Sequence, residues 1–137
     1  MAIIQTQTTS FKVQLYTAGH NLLTDTLKMA LYNANADLSE ATTLYATTNE
    51  VSGGGYTPGG VALQNVTISS AGSTAYVSFD TVVFGASVTA RGALIYNSTQ
   101  GDKSIAVLDF GSDKISTNFT VTPPANTATS AVIRSSN

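Results

Sequence analysis

From Thr26 onward, apolar side chains recur mostly at every second position, the period of half-buried strands. In TLKMALY the residues Leu27, Met29 and Leu31 share one face. In STAYVSFD, Ala75, Val77 and Phe79 face one way while Tyr76, Ser78 and Asp80 face the other. The same alternation returns in RGALIY, SIAVLDF and NFTVT, and a last short strand over Ala131 to Arg134 can close a sheet edge. In VALQNVTIS the apolar parity changes between Leu63 and Val66, which predicts either a β-bulge or two short strands parted at Gln64 and Asn65. Chain reversals are signalled by SSAGS, STQGDK, GSDK and TPPANT, each carrying Gly, Asp, Asn or Pro. Strands about every ten residues with short turns predict a mainly β, single-domain fold, a β-sandwich or small barrel.

One or two short helices are predicted near the N-terminus. DLSEATTLY opens on Asp37 with Glu40 three residues on, a capping-box pattern that starts a turn or two of helix. SFKVQLYTAG reads two ways: Phe11, Val13 and Leu15 alternate like a strand, whereas Phe11, Leu15 and Ala18 ahead of Gly19 fit a short C-capped helix. Residues 1–10, with Ile3 and Ile4 before a Thr/Gln run, read as an extended arm in front of one β-rich domain over 11–137. Two β-branched residues without a local partner either pair with a neighbouring subunit or fray.

Composition narrows what such a domain can do. Only 10% of the 137 residues are charged, against roughly 25% in an ordinary soluble domain, and Thr, Ser, Asn, Ala and Gly fill the surface instead. A net charge of −2 without Lys/Arg clusters argues against nucleic acid as a partner. The absence of cysteine removes disulfides and thiolate chemistry. MAIIQTQTTS has no basic region followed by an apolar one and is not read as a signal peptide, and no apolar run approaches the ~18 residues of a membrane span. Sequons at Asn65, Asn97 and Asn118 are by-products of a Thr-rich composition.

Chemistry-bearing residues are few. His20, the only histidine, sits in a turn-like TAGHN context and is read as structural, and a site with two histidines is excluded within one chain. The eight carboxylates are scattered, with Asp109 and Asp113 in LDFGSDK near each other only if the chain turns there. TTNEVSGGGYTPGG holds five of the eleven glycines. It lacks the Gly-Lys-Ser/Thr end of a phosphate loop and runs into a strand rather than a helix. Gly55, Gly59 and Gly60 therefore shape a loop around Tyr56 and Pro58 rather than bind phosphate. Tyr56 at the loop's tip is also the aromatic for a sugar-stacking reading, which the lack of tryptophan weakens. Arg91, the one charge at the head of an apolar strand, can pair with Glu50 or Asp109 and fix the loop. No catalytic set, metal site or cofactor motif is expected.

FKVQLYTAGHNLLTDTLKMALYNANADL, YATTNEVSGGGYTPGG, RGALIYN and AVLDFGSDK together resemble a family of small virion structural proteins of tailed bacteriophages, over about Phe11 to Arg134. Its most specific pieces are Asp25-Thr26 leading to Ala30-Leu31-Tyr32, Thr48-Asn49-Glu50-Val51 with Gly55-Tyr56 and Gly59-Gly60, Arg91-Gly92-Ala93, and Asp109-Phe110-Gly111-Ser112. The doubled Gly54-Gly55 and Pro58 depart from the pattern. The resemblance implies a helix over SFKVQLYTAG and a non-enzymatic protein assembled in the host cytoplasm. It further implies a place on the virion, here expected to be the capsid surface as a decoration, or cement, protein; a tail or fibre-attachment position is the alternative. Its partners would be the major capsid protein and sister subunits, contacted through Ile3 and Ile4 of the arm, with a homotrimer following from a three-fold site.

Overall fold

The computed structural model describes residues 2–124, 126–127 and 129–135. In chain order the elements are β1 (Thr6–Gln7), α1 (Thr9–Leu15), β2 (Leu27–Tyr32), β3 (Val61–Ala62), β4 (Thr67–Ala71), β5 (Thr74–Ser78), β6 (Val82–Val83), β7 (Val88–Asn97), β8 (Lys103–Ser116), β9 (Thr120–Val121) and β10 (Ile133–Ser135). A five-stranded sheet has the order β1-β8-β7-β2-β3, a three-stranded sheet β10-β5-β4 and a two-stranded sheet β6-β9, and every pairing between these strands is antiparallel. The fold is mainly β and sandwich-like, with no closed barrel.

Period two explains half of β2. Leu27, Met29 and Leu31 enter the larger apolar cluster, with Val77, Val82, Val121 and Ile133 from the two smaller sheets and Phe79 just after β5. Ala30 and Tyr32, on the opposite face, enter a second cluster with Ile3, Leu38, Leu94, Tyr96 and Val107. Both faces of the large sheet are thus buried at β2, and each large side chain so placed contributes about 1.5–3 kcal/mol relative to exposure.

The parity change in VALQNVTIS is resolved as two strands, β3 and β4, with Asn65 between them at φ 55°. GSDK lies within β8, yet the chain does turn out there: Asp109 pairs with Gly92 and Lys114 with Ala90, so β8 bulges by three residues around Gly111 at φ 82°, and the Gly111 N–H donates to Asp109 Oδ1 at 2.9 Å. Pairing resumes beyond the bulge, where Lys114, Ile115 and Ser116 meet Ala90, Thr89 and Val88 of β7. The turn expected in TPPANT includes Ala125, which lies outside the described residues.

SFKVQLYTAG does form a helix. Thr8 caps it in extended conformation, its Oγ1 accepting from the Phe11 N–H at 3.3 Å, and Phe11 is fully buried. The helix ends where Ala18 takes φ 58° and the Gly19 N–H donates to the Gln14 carbonyl at 2.8 Å.

DLSEATTLY does not form one. The Ser39 N–H donates to Thr42 Oγ1 and the Ala41 N–H to Ser39 Oγ, local bonds that compete with helical ones. The backbone on either side is already engaged, Leu38 bridging to Ile3 and Leu44 to Lys103.

The arm is extended, yet it folds back on its own domain. Thr6 and Gln7 pair with Val107 and Ala106, the Ile4 N–H donates to the Leu38 carbonyl at 2.9 Å, and Ile3 is buried. Expected to reach a neighbour, Ile3 is instead a core residue, because Gly92 leaves room for it: a Cβ there would stand 2.8 Å from Ile3 Cγ2. Ile4, half exposed, faces outward.

Candidate functional site

The glycine loop is built around Glu50. Gly53, Gly54, Gly55, Gly59 and Gly60 all have positive φ, and two of them also permit close packing. A Cβ on Gly54 would lie 1.9 Å from the Ser87 carbonyl oxygen, and one on Gly60 1.8 Å from that of Met29. This folding turns Tyr56 inward, where it is 7% exposed and its ring packs on Phe84. A buried Tyr56 cannot stack on a sugar. A ring for that purpose would have to be Tyr16, 92% exposed.

The Tyr56 hydroxyl donates to Glu50 Oε2 at 2.5 Å and accepts from the Leu31 N–H at 3.0 Å. Tyr45 donates to Glu50 Oε1 at 2.6 Å, and the Gly59 N–H donates to Oε2 at 2.8 Å. Tyr96 donates to the Gly59 carbonyl at 2.6 Å and stacks on Tyr45 with centroids 4.5 Å apart. Three donors on one carboxylate make a clamp of charge-assisted bonds that joins the loop to β2. Burial, with the Glu50 charge alongside, raises the Tyr32, Tyr45 and Tyr56 phenols well above their usual range, and Tyr96 is pushed up to about 12 by burial and by Asp102 and Glu50.

Glu50 therefore does not pair with Arg91. Arg91 sits where the β7–β8 register shifts between Ala90 and Gly92, and its Nε lies 3.5 Å from Asp109 Oδ1. This pair is about one-third exposed and contributes little. Pro58 follows Thr57 in the turn closed by the Gly60 N–H on the Thr57 carbonyl at 3.0 Å.

His20 is enclosed by amides. Its Nε2 lies 2.8 Å from Gln14 Oε1 and its Nδ1 3.0 Å from Asn97 Nδ2, and Phe11 meets the ring edge-on at 5.1 Å. Both ring nitrogens are occupied, so neither is free to take a proton from a serine hydroxyl. Asn97, fully buried, is committed to this network, and its sequon is not an accessible acceptor. Among the described residues, no group of three or more His, Cys, Asp or Glu could hold a metal ion, and no helix is long and apolar enough to cross a membrane.

The surface carries a different feature. Nine large apolar side chains are exposed among the described residues, and five of them, Val13, Leu15, Tyr16, Leu23 and Ile68, lie on α1, the loop after it and β4. Between α1 and the β10-β5-β4 sheet runs a groove of about 130 Å³ lined by Phe11, Leu15, Leu22, Ile68, Val77 and Ile133. Sequence reasoning missed it, because Leu15 and Ile68 belong to periodic patterns that look like core; their neighbours in space decide otherwise.

Comparison with known proteins returns no matching family model, no matching curated protein and no matching solved structure.

Proposed function

We propose that this protein is a non-enzymatic virion component of a tailed bacteriophage that decorates the outer face of the head. The observation that carries the reading is the apolar groove between α1 and β4–β5–β10, fringed by exposed Leu15 and Ile68. Clustered exposed apolar groups on an otherwise polar surface mark contact sites. The resemblance of the sequence to small phage structural proteins supplies the partner: the major capsid protein, with sister subunits about a three-fold position giving a trimer. A protein that binds only the assembled lattice stabilises it by mass action. Ile4, half exposed on the arm, is a second candidate contact.

Co-sedimentation with undecorated phage heads tests this. The wild type binds saturably, and Leu15→Asp or Ile68→Asp abolishes binding while the circular dichroism spectrum is kept. Removing the whole arm is a poor test, because it takes Ile3 from the core and Thr8 from the helix cap. Failure of the wild type to bind heads overturns head decoration, and binding to purified tails in the same assay would assign the tail position instead.

A further inference from the structure

We infer that His20 is a proton-released latch, whose neutral Nε2–H tautomer ties α1 to the central sheet and whose protonation forces that tie open. The inference is independent of the head-binding proposal and rests on which atoms can donate. Asn97 is held in one orientation. Its Oδ1 accepts the N–H groups of Thr99 at 3.1 Å and Gln100 at 3.2 Å, and its Nδ2 donates to Asp25 Oδ2 at 2.8 Å. Asp25 as a carboxylate only accepts, so the amide cannot be flipped. The second Nδ2 hydrogen then points at His20 Nδ1, which must carry a lone pair. The proton on the neutral ring is left to Nε2, where Gln14 Oε1 accepts it.

Adding a proton to Nδ1 sets an N–H against an N–H in a place where Asn97 cannot turn away. The ring leaves Asn97 or stays neutral. Two charges act on it: Lys103 at the start of β8 disfavours the imidazolium, and Asp25 in the loop before β2 favours it. The only charge on α1, Lys12, is exposed on that helix. Burial, reinforced by Lys103, holds the His20 pKa below its ordinary value. The released ring can pair with Asp25 in solvent. What it lets go is the Gln14–His20–Asn97 chain from α1 to the end of β7, together with the edge contact on Phe11. Phe11, Leu15 and Leu22 form one wall of the apolar groove, so acid loosens that wall.

If the closed form excludes the proton and the released ring titrates near 6.5, acid multiplies the opening constant of α1 by 1 + 10^(6.5 − pH), about elevenfold at pH 5.5. The test is NMR on the ¹⁵N-labelled protein: histidine ring spectra for the tautomer, and amide protection factors at Phe11 and Gly19 between pH 7.5 and 5. The expected result is a neutral Nε2–H ring at pH 7.5 and a roughly tenfold fall in protection by pH 5.5. In His20→Gln, whose side-chain amide can accept from Asn97 and donate to Gln14 without titrating, protection stays flat over that range. An Nδ1–H or charged ring at pH 7.5 would overturn the assignment. So would an equal loss of protection in His20→Gln, or no loss in the wild type.

Discussion

At the scale of single residues, the central feature is a carboxylate that three donors hold without a cation. Glu50 accepts from two phenols and one backbone N–H. In Glu50→Gln the amide presents hydrogens to one of these donors and leaves a neutral acceptor for the rest. The expected loss is about 2–3 kcal/mol, seen as a Tm lower by about 5–10 °C in thermal denaturation. Gly60→Ala should cost more than about 3 kcal/mol, since its methyl would stand 1.8 Å from the Met29 carbonyl oxygen at φ 82°. A Gly60→Ala protein with wild-type urea midpoint would contradict the packing described. The glycines themselves announced a shaped loop. Glu50 was legible as a residue able to fix the loop, but its partners were not: sequence matched it with Arg91, whereas Tyr45, Tyr56 and the Gly59 N–H hold it, and Tyr96, which bonds Gly59, follows the loop by 36 positions.

At the scale of elements, the arm, Gly92 and β8 behave as one unit. In Gly92→Ala the methyl would lie 2.6 Å from the Leu108 carbonyl oxygen and under 3 Å from two Ile3 carbons, so the arm should lift. Amide exchange at Ile4, bonded to the Leu38 carbonyl, reports it directly, and the accompanying destabilisation is about 1–3 kcal/mol. Persistent protection of Ile4 in that variant would show that the arm does not depend on the space at Gly92. Strands with clean alternation, such as TLKMALY and RGALIY, were readable because burial and period agree in them. DLSEATTLY misled because its local signal is real but weaker than pairing with distant chain, whereas the turn signal in GSDK shows as a bulge inside a strand that continues past it. Glycine inside RGALIY did mark close approach of another segment, a signal that period alone does not interpret.

At the scale of the whole molecule, four phenols set the alkaline limit. Tyr32, Tyr45, Tyr56 and Tyr96 hold their protons more tightly when folded than the usual value near 10. Above pH ~10 the unfolded chain gives up those protons first, so stability is whole below that pH and falls as pH rises beyond it. Urea midpoints should be level from pH 8 to about 10 and decline by pH 11, with phenolate absorbance growing in step with unfolding; a flat midpoint to pH 11 would refute the account. Salt, by contrast, has little to act on: Arg91–Asp109 is the one ion pair among the described residues. Raising NaCl to about 0.5 M should leave the Tm within roughly 1–2 °C.

The seating of Thr8 also governs when the protein can become itself. The N–H of Thr8 is bonded to the carbonyl of Ile105, and Gln7 reaches Arg134, so the opening of the chain waits for partners made near its other end. At about 5–20 residues per second, the stretch from Thr8 to Ile105 takes on the order of 5–20 s to synthesise. Through that interval Ile3 and Phe11 have no seat, and the nascent chain must stay soluble on its threonines and serines alone. The sparse charge and abundant hydroxyls of this sequence serve the unfinished chain as well as the finished surface.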